Sequence, residues 1–361
     1  DAGPVPARVP TSISPGAAED LFWFGRYGER AEGVTRLVRA VSDRLADYVQ
    51  TGAVVSATGL EGDDAPVVLA VLRRVLADVV GEGSPARLVV DARSSGSVAH
   101  SLALMARSAS SVRDQLSPDT WAALSSLERA ISAERRHQDR DPDGGGDVGP
   151  VAARLLEGLL AIAGILAESM VRDVGWCLLD AGRRLERAQQ LVDVLAASLT
   201  VERDPAQEAL VLESVLIAHE SVITYRRRYQ SQPAIVSVLD LLLLDERNPR
   251  SLRFQLGKLA ASLDQVPAPA RGTSTRDALL GDVVDLIDEL DTTTISAPDA
   301  DGRRVQLVET LESMSWRLRE LGEEIARVHF THPVPVPWLD ASGTYQTPSG
   351  SKPATRAEGQ A

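Results

Sequence analysis

The heptapeptide GRYGERA at 25–31 returns in diverged form as GRRLERA at 182–188. The apolar positions that follow also correspond, with Val34, Leu37 and Val38 meeting Leu191, Val194 and Leu195. A second pair lies downstream at nearly the same offset: LVVDARSSGSV at 88–98 against LLLDERNPRSL at 242–252. Two matches in register predict an internal duplication. The expected fold is all-α, a multi-helix bundle or array of two pseudo-symmetric halves. Packed about a pseudo-twofold axis, the halves would bring their Glu-Arg helices face to face, with four arginines and two glutamates converging.

The periodicity is helical almost throughout. Leu21, Phe24, Val34, Leu37, Val38, Val41 and Leu45 recur at three- and four-residue spacing, predicting one amphipathic helix from about Gly16 to Val49. Further helices are predicted near 65–80, 95–115, 118–138, 150–170, 172–200, 204–231, 234–245, 249–265, 274–292 and 303–330. Leu88 to Val90 is strand-like but too short for a sheet. Residues 1–15, with four prolines, read as a linker. The first helical half is expected at 16–138, a flexible acidic Gly-rich loop at 139–149, the second half at 150–331 and a Pro-rich, largely disordered tail at 332–361. Further loops are expected at Val266 to Ser274 and Ala297 to Gly302. Ser97 and Ser251 sit where a hydroxyl would cap the next helix, and Asp245 and Asn248 fall in the same capping turn as Ser251.

A net charge of -13 repels a nucleic-acid backbone, so no nucleic-acid partner is expected. The most apolar run, Leu155 to Ala167, is too short to span a bilayer, so no membrane partner is expected either. The single cysteine, Cys177, excludes an internal disulfide and fits a reducing, cytoplasmic setting. Asp1 in place of an initiating Met suggests a piece of a longer polypeptide. Lysine occurs only at Lys258 and Lys352, so the basic charge is almost all guanidinium.

Arg26, Glu29 and Arg30 share a helix face beside Trp23, and Arg183, Glu186 and Arg187 repeat the set. Such clusters either lock helices together as ion pairs or present paired guanidiniums to a carboxylate or phosphate. The run TYRRRY at 224–229 adds Tyr225 and Arg226 as candidate anion-binding residues, the alternative being a solvated face with tyrosine in the core. The five histidines are scattered and no Glu-x-x-His pair occurs, so no metal site is expected. Phosphate loops, nucleophile elbows and Cys-His pairs are missing from the sequence. A free-standing acid-base enzyme ranks last, because arginine holds its proton at neutral pH.

Four segments together, AAEDLFWFGRYGERAE at 17–32, RDVGWCLLDAGRRLERA at 172–188, ESVITYRRRY at 220–229 and LLLLDERNPRSLRFQL at 241–256, resemble the bacterial alpha-E family over about residues 16–330. The first half departs from the family pattern: SSGSV at 94–98 and ARSA at 106–109 replace its usual Asn-Pro and Ala-Arg-Glu-Asn segments. The resemblance implies a partner, a circularly permuted ATP-grasp domain in cis or in trans, often accompanied by a transglutaminase-like peptidase. It implies an accessory role in an ATP-dependent carboxylate-amine (peptide or amide) ligase system. The chain would bind substrate or partner through its Arg/Glu clusters without being catalytic alone, and ATP and Mg would belong to the ATP-grasp partner, with no cofactor on this chain. The competing expectation is a structural scaffold whose Glu-Arg motifs are core ion pairs.

Overall fold

A computed structural model describes residues 13–50, 65–140, 147–267 and 272–330. Residues 1–12 of the expected N-terminal linker, the expected C-terminal tail, and the centres of the loops expected at 139–149 and 266–274 lie outside the described residues, and Pro15, expected in the linker, opens the first helix. Helix α1 (Pro15–Gln50) starts where the Ser14 hydroxyl accepts from the Ala17 amide at 3.2 Å. It is followed by α2 (Ala65–Val79), α3 (Pro85–Val90), α4 (Val98–Ser111), α5 (Pro118–Arg140) and α6 (Gly149–Ser169). Next come α7 (Val174–Leu199), α8 (Pro205–Ala218), α9 (Val222–Tyr229), α10 (Ile235–Leu239) and α11 (Leu252–Leu263). The series ends with α12 (Ser274–Asp288), α13 (Thr292–Ile295) and α14 (Val305–His329). The architecture is all-α, with no strand among the described residues beyond one isolated bridge between Val201 and Arg303.

Helices α1 and α7 pack along each other at the centre. Helices α4 and α6 cover α1, α11 and α14 cover α7, and α5 and α12 form an outer layer on α6 and α14. Burial follows the helical stripe. Leu21, Val38, Leu185, Leu191, Leu195, Leu318 and Leu321 are fully enclosed, each contributing about 1.5–3 kcal/mol of apolar transfer.

The crossing of α1 and α7 is close because glycine occupies both sides of it. A Cβ on Gly25 would run into the Leu179 carbonyl oxygen, and one on Gly182 would run into the Phe22 carbonyl oxygen. Leu179 follows Phe22 by the same 157-residue interval that separates the two glycines, so the two contacts are reciprocal.

Several local expectations are corrected. Leu88 to Val90 is helical rather than strand-like, because Ser84 caps the preceding turn and Pro85 takes the first helical position. The helix expected over 204–231 is two helices: Glu220 adopts a left-handed φ of 52°, and the Ser221 amide folds back onto the Leu216 carbonyl at 2.8 Å. The segment expected over 234–245 is a short α-turn continued as a π-helical turn, Asp240–Leu244. The one expected over 274–292 stops at Asp288, and α13 is separately capped by Asp291. The expected loop at 297–302 is tied down. Arg304, buried, donates to the carbonyls of Ser296, Leu199 and Val201 at 2.8–3.1 Å and to Glu208 at 2.5 Å.

Helix α6 is 21 residues long and apolar enough on average that by length and composition it could cross a membrane, contrary to the shorter span read from the sequence. Here Val151, Leu155, Leu159, Ile162 and Leu166 are buried in the core shared with α5 and α1.

Candidate functional site

Each Glu-Arg glutamate is held by the arginines of the other motif. Glu186 on α7 accepts from Arg26 Nε at 2.7 Å, Arg30 Nε at 2.5 Å and Arg30 Nη2 at 3.0 Å, all from α1. Glu29 on α1 accepts from Arg187 Nε at 2.8 Å, Arg187 Nη2 at 2.7 Å and Arg183 Nε at 3.1 Å, all from α7. The exchange follows from helical spacing: residues three and four apart on α1 and α7 project toward one seam, so two arginines flank the opposing carboxylate. Each node carries two guanidiniums and one carboxylate.

Both carboxylates are almost fully buried. Burial alone would raise the Glu186 carboxyl, but Arg26 and Arg30 more than offset it and hold its pKa below the ordinary value. The Arg26 guanidinium lies 4.9 Å from the Trp23 ring centroid, and Trp23 stacks on Tyr27 at 5.3 Å. Arg26 Nη2 also donates to Gln189 Oε1 at 2.5 Å, while Gln189 Nε2 reaches the Leu318 carbonyl at 2.9 Å and ties the node to α14.

The two nodes differ in what lies beside them. The Glu186 node borders a cleft of about 680 Å³ between α1, α7, α14 and the segment after α2. Trp23, Arg30, Gln190, Asp193, Arg319 and Glu323 are among its lining residues. Among the described residues, the spaces found beside the Glu29 node measure about 30 and 20 Å³. The Arg30 side chain is accordingly 28% exposed against 14% for Arg187, its counterpart by motif position. Asp193, on the cleft, has its pKa raised by burial, with Ser315 Oγ donating to it at 3.0 Å.

The other sequence candidates lie elsewhere in the contact network. Tyr225 is buried; its hydroxyl donates to the Gln232 carbonyl at 3.2 Å and accepts from the Ala234 amide at 3.1 Å, pinning the connection from α9 to α10. Arg226 is two-thirds exposed and pairs with Glu213 at 2.7 Å, which also takes Arg44 at 3.0 Å. Asp245 accepts from Arg228 and from the Arg247 amide. Asn248 is buried and donates to the Leu241 carbonyl at 3.0 Å and Ser221 Oγ at 3.3 Å.

Ser97 and Ser251 cap α4 and α11 in the same manner. Each hydroxyl accepts from the amide three residues on, at 3.1 Å in both cases, and donates to the carbonyl of the Asp six residues back, at 2.6 and 2.5 Å. Among the described residues no group of three or more His, Cys, Asp or Glu side chains is placed to hold a metal ion.

The fold adds a further set of charged residues that the sequence motifs do not single out. Glu32 accepts from Arg36 at 2.9 Å and Arg250 at 2.8 Å, and Arg187 lies 3.7 Å away. Burial pushes Glu32 up, yet Arg250, Arg187 and Arg36 bring its pKa down to about 2. Glu32 and Arg36 continue the Glu29 face at helical spacing, and that periodicity could have revealed them. Gln189, Gln190 and Asp193 extend the Glu186 face in the same way. Arg250 lies outside any helix, and only the fold brings it to Glu32.

No solved structure matches this chain. The uncharacterized protein Rv2567 of Mycobacterium tuberculosis is 32% identical over 336 residues, covering 89% of this chain and 37% of that protein. The uncharacterized protein Mb2597 of Mycobacterium bovis matches at the same identity and coverage. The chain therefore spans little more than a third of the length of these relatives. The sequence model of Alpha-E, described as a predicted alpha-helical domain with a conserved ER motif, matches residues 14–330. With its Glu-Arg helices crossed at the centre of an all-helical fold, the chain belongs to the Alpha-E family.

Proposed function

We propose that this chain is the helical accessory domain of an ATP-grasp-type carboxylate-amine ligase system, and that its cleft over Glu186 receives an anionic group of the substrate. The observation that carries this reading is the asymmetry of two chemically alike nodes, one beside a cleft of about 680 Å³ and one beside spaces of about 30 and 20 Å³. Two guanidiniums against one carboxylate leave the node itself positive within a cleft whose other walls carry Arg319 together with Asp78, Asp193 and Glu323, and the exposed edge of Arg30 is suited to a carboxylate or an acyl phosphate. Asp193 and Glu323 on the same walls suit an amine.

ATP and Mg would be held by the ATP-grasp partner, with activation of the carboxylate taking place there. Relatives of which this chain matches only 37% leave ample polypeptide for a partner in cis. The halves are read as duplicated copies, supported by the reciprocal Glu-Arg exchange, the reciprocal glycine contacts and the matched serine caps. A transglutaminase-like peptidase as a further partner and a cytoplasmic setting belong to the same proposal. The Glu29 node, enclosed and ion-paired, favours a structural role for that copy.

The test is ADP release by the cognate ATP-grasp protein with a carboxylate and an amine supplied, in the presence and absence of this chain. The chain is expected to be required, and Arg30→Gln to lower kcat/KM about tenfold, the loss of one charge-assisted hydrogen bond. Turnover indifferent to the chain, or to Arg30→Gln in a folded protein, would exclude the role.

A further inference from the structure

The smaller space beside the Glu29 node has a chemistry of its own. It measures about 30 Å³ and is lined by Arg36, Arg187, Arg250, Glu29, Gln190 and His219, among others. That is room for one or two water-sized species and too little for a phosphate or an amino acid.

Guanidiniums outnumber carboxylates on its wall. Arg36, Arg183, Arg187 and Arg250 are linked by ion pairs to three carboxylates, Glu29, Glu32 and Glu220. Of these groups Arg36, Arg187, Arg250 and Glu29 line the cavity, while Arg183 lines the neighbouring space and Glu220 is half exposed, so the cavity wall itself carries three guanidiniums and one carboxylate. The guanidiniums also have donors to spare. Arg187 gives Nε and Nη2 to Glu29, Arg36 gives Nε and Nη1 to Glu32 and Glu220, and Arg250 gives Nη2 to Glu32. Each guanidinium carries five N–H groups, so several remain beyond these bonds.

His219 supplies an independent sign. It lines the cavity, and its Nε2 is buried with no hydrogen-bond partner in the protein. A buried ring nitrogen without a partner carries a desolvation penalty that a bound species would remove. Burial first, then Arg250, Arg187 and Arg36, lower the His219 pKa to about 3, so the ring is neutral near pH 7 and can present an N–H.

We propose that this cavity is a binding site for a monoatomic anion, chloride or bromide, held by Arg36, Arg187, Arg250 and the Nε2–H of His219. The ion would neutralise the surplus guanidinium charge and tie α1, α7, the end of α8 and the turn before α11 to one point. The site adjoins the cleft over Glu186, with Val34, Val79 and Gln190 lining both, and does not depend on the ligase reading.

The full-length protein crystallised from sodium bromide, with data collected at the bromine absorption edge, tests it. An anomalous peak beside His219 Nε2 is expected. A peak of water height without anomalous signal would overturn the proposal. In solution, the unmodified protein titrated with sodium bromide should show a saturable rise in Tm of a few degrees that sodium methanesulfonate, whose anion is too large for the cavity, does not give at equal ionic strength. Identical curves in the two salts would count against the site, and neither measurement needs a variant that must fold.

Discussion

Glu186 and Glu29 each sit almost without solvent between two arginines, and removing either charge strands guanidiniums in the interior. Glu186→Gln is expected to lower the free energy of unfolding by about 3 kcal/mol, the usual cost of breaking a buried pair from one side. Urea denaturation checks this, and an unchanged midpoint would mean that the node contributes nothing to the fold. Glu32 gives the pH dependence. Its folded pKa of about 2 lies below the ordinary 4.5, so its contribution is complete above about pH 4.5 and is lost as pH falls toward 2. The stability gap between the parent and Glu32→Gln should therefore be constant from pH 7 to 5 and shrink from pH 4.5 downward. A gap that widened on acidification would reverse the assignment.

At the scale of elements, the α1–α7 crossing depends on two glycines facing two carbonyls. Gly25→Ala and Gly182→Ala should each destabilise by about 1–3 kcal/mol or more, because the obstruction is backbone and cannot rotate away. Gly164, on the exposed side of α6 with nothing within 4 Å of an added Cβ, is the control. Gly164→Ala should stabilise by about 0.4–1 kcal/mol through the unfolded chain. Thermal melts of the three variants distinguish a close crossing from a general glycine effect.

The long helices were legible because apolar residues recur at three and four along them, and the serine caps because a hydroxyl precedes each apolar run. The break at Glu220 was not legible. Neither Gly nor Pro marks it, and a glutamate at φ 52° is placed by the packing around it, with Arg36 holding its carboxylate. Leu88 to Val90 misled for a related reason: three aliphatic residues fit a strand or a buried helical turn equally, and Ser84 with Pro85 decided for the helix.

For the whole molecule, six of the sequence candidates come together as two nodes, while Tyr225 and Arg226 serve a connection and a surface pair. Legibility ended where chemistry depends on depth. Arg30 and Arg187 occupy equivalent motif positions, yet one edges a cleft and the other is enclosed, a difference set by how α14 and the segment after α2 pack against α7. The measurement that separates the nodes is coupled ATP turnover with the cognate ATP-grasp partner, comparing Arg30→Gln with Arg187→Gln at equal folded fraction. Arg30→Gln is expected to lower kcat/KM about tenfold, as for one charge-assisted hydrogen bond lost, while Arg187→Gln lowers Tm and leaves turnover of the folded protein intact. Equal losses from both changes, or none from Arg30→Gln, would contradict a functional cleft over Glu186.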